Sequence, residues 1–297
     1  LVSNSCPPVR FLVVLQDANS VASNKAVPSG RKPVRIMPLS SGTIKFISGL
    51  RQKKMRQNYH KFTAEGGRIV EELLLQSRYT IDHLYALETW VAGLPAAPAV
   101  PLTLVSPKEL GRISQLKTPN QVLAVVDLPQ PAPAWPVEVG QSWTLYLDGI
   151  QSPSNLGALL RIADWFDFPY VIGGPGTADL YNTKSIQASM GSFLRIDYRQ
   201  GTLGDLIAQF PDLPTFGADL YGENIYQLQA PDRGILVIGA EGPGVGEAAR
   251  TQVQRWLTIP RSSGREAESL NAAVAAGILC GGIRFGKAQA PRPPKGE

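Results

Sequence analysis

Apolar positions in the second half of the chain switch between two periods. Short runs rich in β-branched and aromatic residues at 143–147, 170–172, 194–198, 215–218, 235–238 and 257–259 predict strands. Between them, 156–166, 183–190, 203–210 and 247–254 place apolar residues at helical spacing. Strands and helices in alternation predict a mostly parallel sheet with helices on both faces. After the last strand and Pro260 comes a polar loop, 261–268. Leu270, Val274 and Ile278 then fall at i, i+4 and i+8, an apolar stripe on one helix face, with Ser269 as its expected N-cap.

The first half has its own pattern. Ile44, Ile47 and Leu50 share a helix face. Strands are expected at 62–65, 83–87 and 122–128, and helices at 66–76 and 107–116. Residues 41–128 therefore read as a small α/β domain. Four prolines between 129 and 136 cannot continue a helix or a central strand, so 129–138 is expected to be a stiff linker. Residues 139–286 form the second expected domain and 287–297 a flexible tail. Residues 1–40 show little periodicity and read as a disordered arm or an upstream extension; Met37 stands just before the first helical pattern.

Composition narrows the chemistry. With 297 residues, 43% of them hydrophobic, the chain can bury a core of two domains. Two cysteines make neither a disulfide framework nor a metal cluster, and no apolar run approaches the ~18 residues of a membrane span, so a cytoplasmic protein is expected. The only histidines, His60 and His83, lie in the first domain, without triad or metal-ligand spacing, so no metal is expected. Charge is uneven. Residues 31–68 carry ten Lys or Arg against the single acid Glu65, whereas the whole chain is only +5. A block of that sign points to a polyanion, most simply nucleic acid, and Lys53, Lys54, Arg56 and Lys61 are its expected contacts.

Two glycine-containing loops are candidates for a site. Gly239, Gly242, Gly244 and Gly246 follow a strand and precede a helix, but no register gives G-x-G-x-x-G, and no G-x-x-x-x-G-K-[ST] occurs either. Glu241 would oppose a pyrophosphate, so a cationic ligand fits better and a nucleotide-dependent oxidoreductase is disfavoured. In the other loop, Asn155 is expected to cap a helix starting at Leu156. Gly157 weakens the first turn by about 1 kcal/mol relative to Ala, a cost that makes sense if something approaches the backbone. Arg161 sits among Leu159, Leu160 and Ile162, where it needs an anion or a carboxylate such as Asp148 or Asp164.

These residues resemble a known family. N-x-G-x-x-x-R at Asn155, Gly157 and Arg161, G-A-E-G at 239–242, and I-P…G…E-S-L-N from Ile259 to Asn271 occur in the order of the three motifs of the SpoU-type (TrmH-like) RNA ribose methyltransferases of the SPOUT superfamily. The segment 188–192, ASMGS, is similar to that family as well. The first domain resembles the family's substrate-recognition domain. Two departures stand out: the loop between Pro260 and Glu268 is about two residues longer than the usual pattern, and Ala272–Ala273 replaces a common Val-Ser.

The resemblance implies a deep trefoil knot in the second domain, a homodimer through that domain, and S-adenosylmethionine as methyl donor. It implies methyl transfer to a ribose 2′-hydroxyl of a structured RNA, with ribosomal RNA the favoured target and transfer RNA the alternative. Gly239, Ile259, Leu270, Gly242 and Gly264 would hold the donor. Arg161, Asn155, Glu241, Ser269 and Asn271 would form the catalytic wall, Arg161 orienting the target ribose and its phosphate. The rival reading is a non-catalytic RNA-binding protein that keeps a degenerate knot.

Overall fold

The computed structural model describes residues 38–130, 134–262, 264 and 268–286. Most of the expected arm at 1–40 and the expected tail at 287–297 lie outside the described residues. The first lobe runs α1 (Ser41–Gly49), α2 (Lys53–Tyr59), β1 (Lys61–Glu65), α3 (Gly67–Leu75), β2 (Ile81–Ala86), α4 (Glu88–Gly93), β3 (Leu102–Leu104), α5 (Pro107–Ile113) and β4 (Val122–Asp127). Its sheet has the order β1-β4-β2-β3. β4 is buried along nearly its whole length, as its apolar run predicts. The short elements α2, α4 and β3 were not legible, because each is too brief to establish a period.

The second lobe continues with β5 (Trp143–Asp148), α6 (Pro153–Trp165), β6 (Tyr170–Gly173), α7 (Thr183–Ser189), β7 (Asp197–Gln200), α8 (Leu203–Gln209), β8 (Thr215–Asn224), β9 (Gly234–Gly239), α9 (Glu247–Arg250), β10 (Arg255–Thr258) and α10 (Ala272–Phe285). Its six strands, in the order β10-β8-β9-β5-β6-β7, pair in parallel throughout. Alternate residues serve opposite faces, as strand geometry requires. Leu145, Leu147, Leu236 and Ile238 pack with residues of α6 and α10, whereas Tyr146, Ile235 and Val237 pack with α8 and with Ala249 of α9. This is the expected mostly parallel sheet with helices on both faces.

Three local expectations are corrected. The strand expected at 194–198 starts at Asp197, because Gly191 (φ +94) turns the chain into a 3-10 turn at Ser192–Leu194. α6 starts at Pro153 with Ser152 as N-cap, so Asn155 lies inside the first turn. The stripe expected at Leu270, Val274 and Ile278 is not the buried face of α10: Leu270 precedes the helix, Leu270 and Val274 are exposed, and Ile278 is half-buried. The buried face consists of Ala272, Ala273, Ala276, Leu279, Cys280 and Ile283, small residues that let the helix lie close to the core.

The two lobes share one apolar cluster. Phe62 and Tyr79 of the first lobe meet Phe193, and Phe62 also meets Tyr181, with ring centroids 4.8–6.3 Å apart. The seam also holds Arg56. Buried to 3% exposure, it donates to the carbonyls of Leu50 (2.8 Å) and Arg51 (2.7 Å) and pairs with Asp179 of the second lobe at 2.6 Å.

Candidate active site

Helix α6 opens with Pro at its first position and the Ser152 hydroxyl accepting from the Asn155 N–H at 3.3 Å. That arrangement relieves the Asn155 side chain of capping duty. Its Nδ2 donates instead to Glu241 Oε1 at 2.8 Å, across from the loop after β9. Asn271, at the entrance of α10, completes the group. Its Oδ1 accepts from the N–H groups of Ala273 (3.0 Å) and Val274 (3.3 Å), so Asn271 and not Ser269 is the N-cap. Its Nδ2 is thereby turned away from the helix and donates to Glu241 Oε1 and, at 3.3 Å, to Asn155 Oδ1. Three residues far apart in sequence meet on one carboxylate oxygen.

The loop that carries Glu241 is tightly built. Ala240 and Gly244 exchange backbone hydrogen bonds of 3.0 Å in both directions. Gly242 and Gly244 have φ of +88 and +71, and a Cβ at Gly239 would lie 2.1 Å from the Gly244 carbonyl carbon. These are the steric reasons for the glycines. At the end of β5, Asp148 accepts from the Gly246 N–H at 2.6 Å and ties the loop down.

Beside this loop lies a cavity of about 410 Å³, within the size range of small-molecule sites. Its wall includes Gly239, Glu241, Gly242, Ile259, Ser269 and Leu270. Of the expected donor-binding residues only Gly264 (φ +71) is not among its lining residues. Sequence reasoning missed Asp219 and Leu220, which form another part of the wall. β8 and β10 pair at Phe216 and Gly217, lose register, and pair again at Glu223 and Asn224, so the intervening residues bulge toward the cavity. Gly217 and Gly222 permit this: a Cβ on either would lie 2.5 Å from Trp256 atoms. Two glycines five apart flanking an acid were the available signal.

The residues fit a bent, cationic, partly apolar ligand such as S-adenosylmethionine. Leu257, Ala272, Ala275 and Leu279 supply apolar wall and the glycine loop brings backbone to the surface; of the charged lining residues, Arg250 is paired with Asp219 at 2.9 Å, and Glu241 and Glu268 face one further cation, Arg261.

Arg161 is not part of the carboxamide–carboxylate group. It is exposed on α6, and no hydrogen bond or ion pair joins it to another described residue. Both carboxylates that sequence reasoning offered it are engaged elsewhere, Asp148 with Gly246 and Asp164 with Arg195. The close approach expected at Gly157 is made by α7: a Cβ there would lie 2.5 Å from the Ser185 carbonyl oxygen and the Ala188 Cβ.

The expected RNA-binding residues separate. Lys53 and Lys54 are exposed on α2. Arg56 is corrected: it is buried at the lobe seam and its guanidinium is paired with Asp179, so it does not lie on the surface where a phosphate would meet it. Lys61 is engaged by Asp127 at 2.5 Å and Asp82 at 2.9 Å, and these two acids hold its pKa above the ordinary value against the opposing effect of burial. No helix among the described residues is long and apolar enough to cross a membrane.

Comparison with known proteins agrees with this geometry. Residues 142–281 match the SpoU rRNA Methylase family and residues 42–124 an MRM3-like substrate binding domain. The chain is 31% identical over 237 residues, 77% of its own length and 91% of the relative's, to the 23S rRNA (guanosine(2553)-2′-O)-methyltransferase RlmP of Bacillus subtilis. Among solved structures, a TrmH-family protein from Porphyromonas gingivalis superimposes with a TM-score of 0.73 at 35% identity, covering 83% of this chain and 98% of that one. The SpoU methyltransferase AviRb of Streptomyces viridochromogenes, solved in complex with AdoMet, has the same fold: TM-score 0.71 at 22% identity, over 82% of this chain and 97% of that one.

Proposed function

The chain belongs to the SpoU rRNA methylase family, and from that premise we propose how its own residues serve the reaction. The protein is an RNA methyltransferase that uses S-adenosylmethionine and acts on a ribose 2′-hydroxyl. Ribosomal RNA is the target class favoured by the relatives' printed activities, and no observation favours transfer RNA. The arrangement that carries the residue assignment is the convergence of Asn155, Glu241 and Asn271 at the edge of the 410 Å³ cavity.

In this reading Gly239, Gly242, Ile259 and Leu270 hold the donor largely through main chain, with Gly264 contributing from the segment between β10 and α10. The bound donor supplies a methyl group on a cationic sulfur. The protein's work is to bring the acceptor oxygen into line with that methyl, and such positioning contributes several kcal/mol of barrier reduction, up to about 7–11 in the best-oriented cases. Asn155 and Asn271 fix the Glu241 carboxylate, and Ser269 shapes the wall beside it. Arg161 orients the ribose through the adjacent phosphate. A guanidinium holds its proton too tightly to serve as a base, and its planar donor fork suits phosphate. Lys53 and Lys54 contribute salt-dependent RNA affinity. A homodimer through the second lobe and a cytoplasmic location complete the proposal. For the dimer, the support is the exposed apolar surface at Trp165 of α6 and at Val274 and Phe285 of α10.

The test is Arg161→Ala. Methyl incorporation into RNA from cells lacking the gene should fall below detection, while calorimetric binding of S-adenosylhomocysteine stays at the wild-type level. An alanine variant that still methylates would remove Arg161 from the mechanism.

A further inference from the structure

Helix α6 carries Arg161 and, three residues later, Asp164. Residues at that spacing are surface neighbours, and a carboxylate there attracts a guanidinium. In this protein the carboxylate is taken by another arginine. Arg195 Nη2 reaches Asp164 Oδ2 at 2.7 Å, and its Nε reaches Oδ2 at 2.9 Å and Oδ1 at 3.2 Å. The Ser192 hydroxyl donates to the same Oδ2 at 2.8 Å. Arg195 is itself held from the far side: its Nη1 donates to Glu72 of α3 at 2.6 Å. Gly191 admits that contact, since a Cβ there would lie 2.6 Å from Glu72 Oε2. The chain Glu72–Arg195–Asp164 thus runs from the recognition lobe to the helix of Arg161.

We propose that Arg195 is a positioning residue that occupies Asp164 so that this carboxylate does not capture Arg161. Two oppositely charged neighbours on one helix would otherwise pair, and a paired Arg161 has fewer donors left for an RNA phosphate. Arg195 resolves the competition with a multidentate contact, and Glu72 fixes the end of the guanidinium that Asp164 does not use. The value of this arrangement to catalysis rests on the role proposed above for Arg161; the arrangement itself does not.

The decisive experiment is a double-mutant cycle on the full chain. Arg195→Ala should lower kcat/KM for methyl incorporation into RNA from gene-deleted cells by about two- to fivefold, the size of an exposed ion pair that must be broken. Affinity for S-adenosylhomocysteine should not change. Adding Asp164→Asn should restore kcat/KM, because the competitor has lost its charge. A purely structural salt bridge predicts the reverse, a double variant no better than the single one. In parallel, the Arg161 Nε–H resonance of isotopically labelled protein should move in Arg195→Ala and return in the double variant, a readout that needs no methyl transfer. Full activity in Arg195→Ala, absence of rescue, or an unmoved Arg161 resonance would each overturn the proposal. If Arg195→Ala does not fold, Asp164→Asn alone decides: wild-type kcat/KM is expected, and its loss would show that Asp164 serves in its own right. A wild-type protein that transfers no methyl group, with the resonance shift intact, would instead count against the functional reading.

Discussion

Asn271 joins Glu241 through its amide nitrogen while its amide oxygen caps α10. One side chain therefore links the stability of a helix to the orientation of a carboxylate 30 residues earlier. The two duties can be separated. Asp is as good a cap as Asn, but it cannot donate to a carboxylate. Asn271→Asp should melt within ~2–4 °C of wild type, the change expected of about 1 kcal/mol in a chain of this size, yet lose at least ~90% of its methyl transfer. Asn271→Ala should lose activity and also about 1 kcal/mol of stability. Thermal melts beside methyl-incorporation rates check both; an active Asn271→Asp would show that Glu241 does not need this donor.

Arg56 and its neighbours on α2 should behave as different kinds of residue. Arg56→Met leaves Asp179 without its buried partner, a loss on the order of 3–5 kcal/mol, so reduced melting temperature is the expected phenotype. Lys53→Ala and Lys54→Ala should leave melting unchanged and weaken RNA binding. Each should also make the slope of log affinity against log salt shallower by about one unit if the lysine meets a phosphate. Filter binding over a salt series distinguishes the two classes.

Glu65 predicts a pH dependence. It is buried at the lobe seam, where its carboxylate accepts from the Ser114 hydroxyl at 2.5 Å and the Gln115 N–H at 2.8 Å. Burial raises its pKa above the ordinary value despite these bonds. A carboxyl that holds its proton more tightly when folded favours the folded state below the unfolded pKa of about 4.3, and that contribution is lost as pH rises through the folded value. Glu65→Gln stays neutral throughout. Its melting temperature should therefore gain on wild type between pH 4.5 and 7, and a constant difference across that range would refute the assignment.

The exposed apolar residues of α6 and α10 predict self-association. Trp165 and Phe285 are each 76% exposed and Val274 is 50% exposed, on helices that pack together. Val274→Glu should shift the protein from dimer to monomer in sedimentation velocity without lowering the melting temperature of the isolated chain. Wild-type protein that sediments as a monomer would dismiss the proposed dimer.

The sequence by itself determined the elements long enough to show a period: β4 in the first lobe, and β5, β9, α6 and α10 in the second, where their alternation predicted the parallel sheet with helices on both faces. It also singled out the loops that line the cavity, because glycines, a carboxylate and carboxamides between a strand and a helix leave a local signature. Tertiary structure alone decided which side chain does what. Ser152 and Asn271 cap the two helices, and Asn155 is released to Glu241 across 86 residues. Arg56 is drawn out of the basic surface by Asp179, 123 residues away. Arg161 stays unpaired among the described residues because Arg195 holds the acid nearest to it along the helix. Periodicity is a property of neighbours in sequence and survives in the bare string of residues. A cap, a buried ion pair or a free guanidinium is the outcome of competition among groups that only the folded chain brings together.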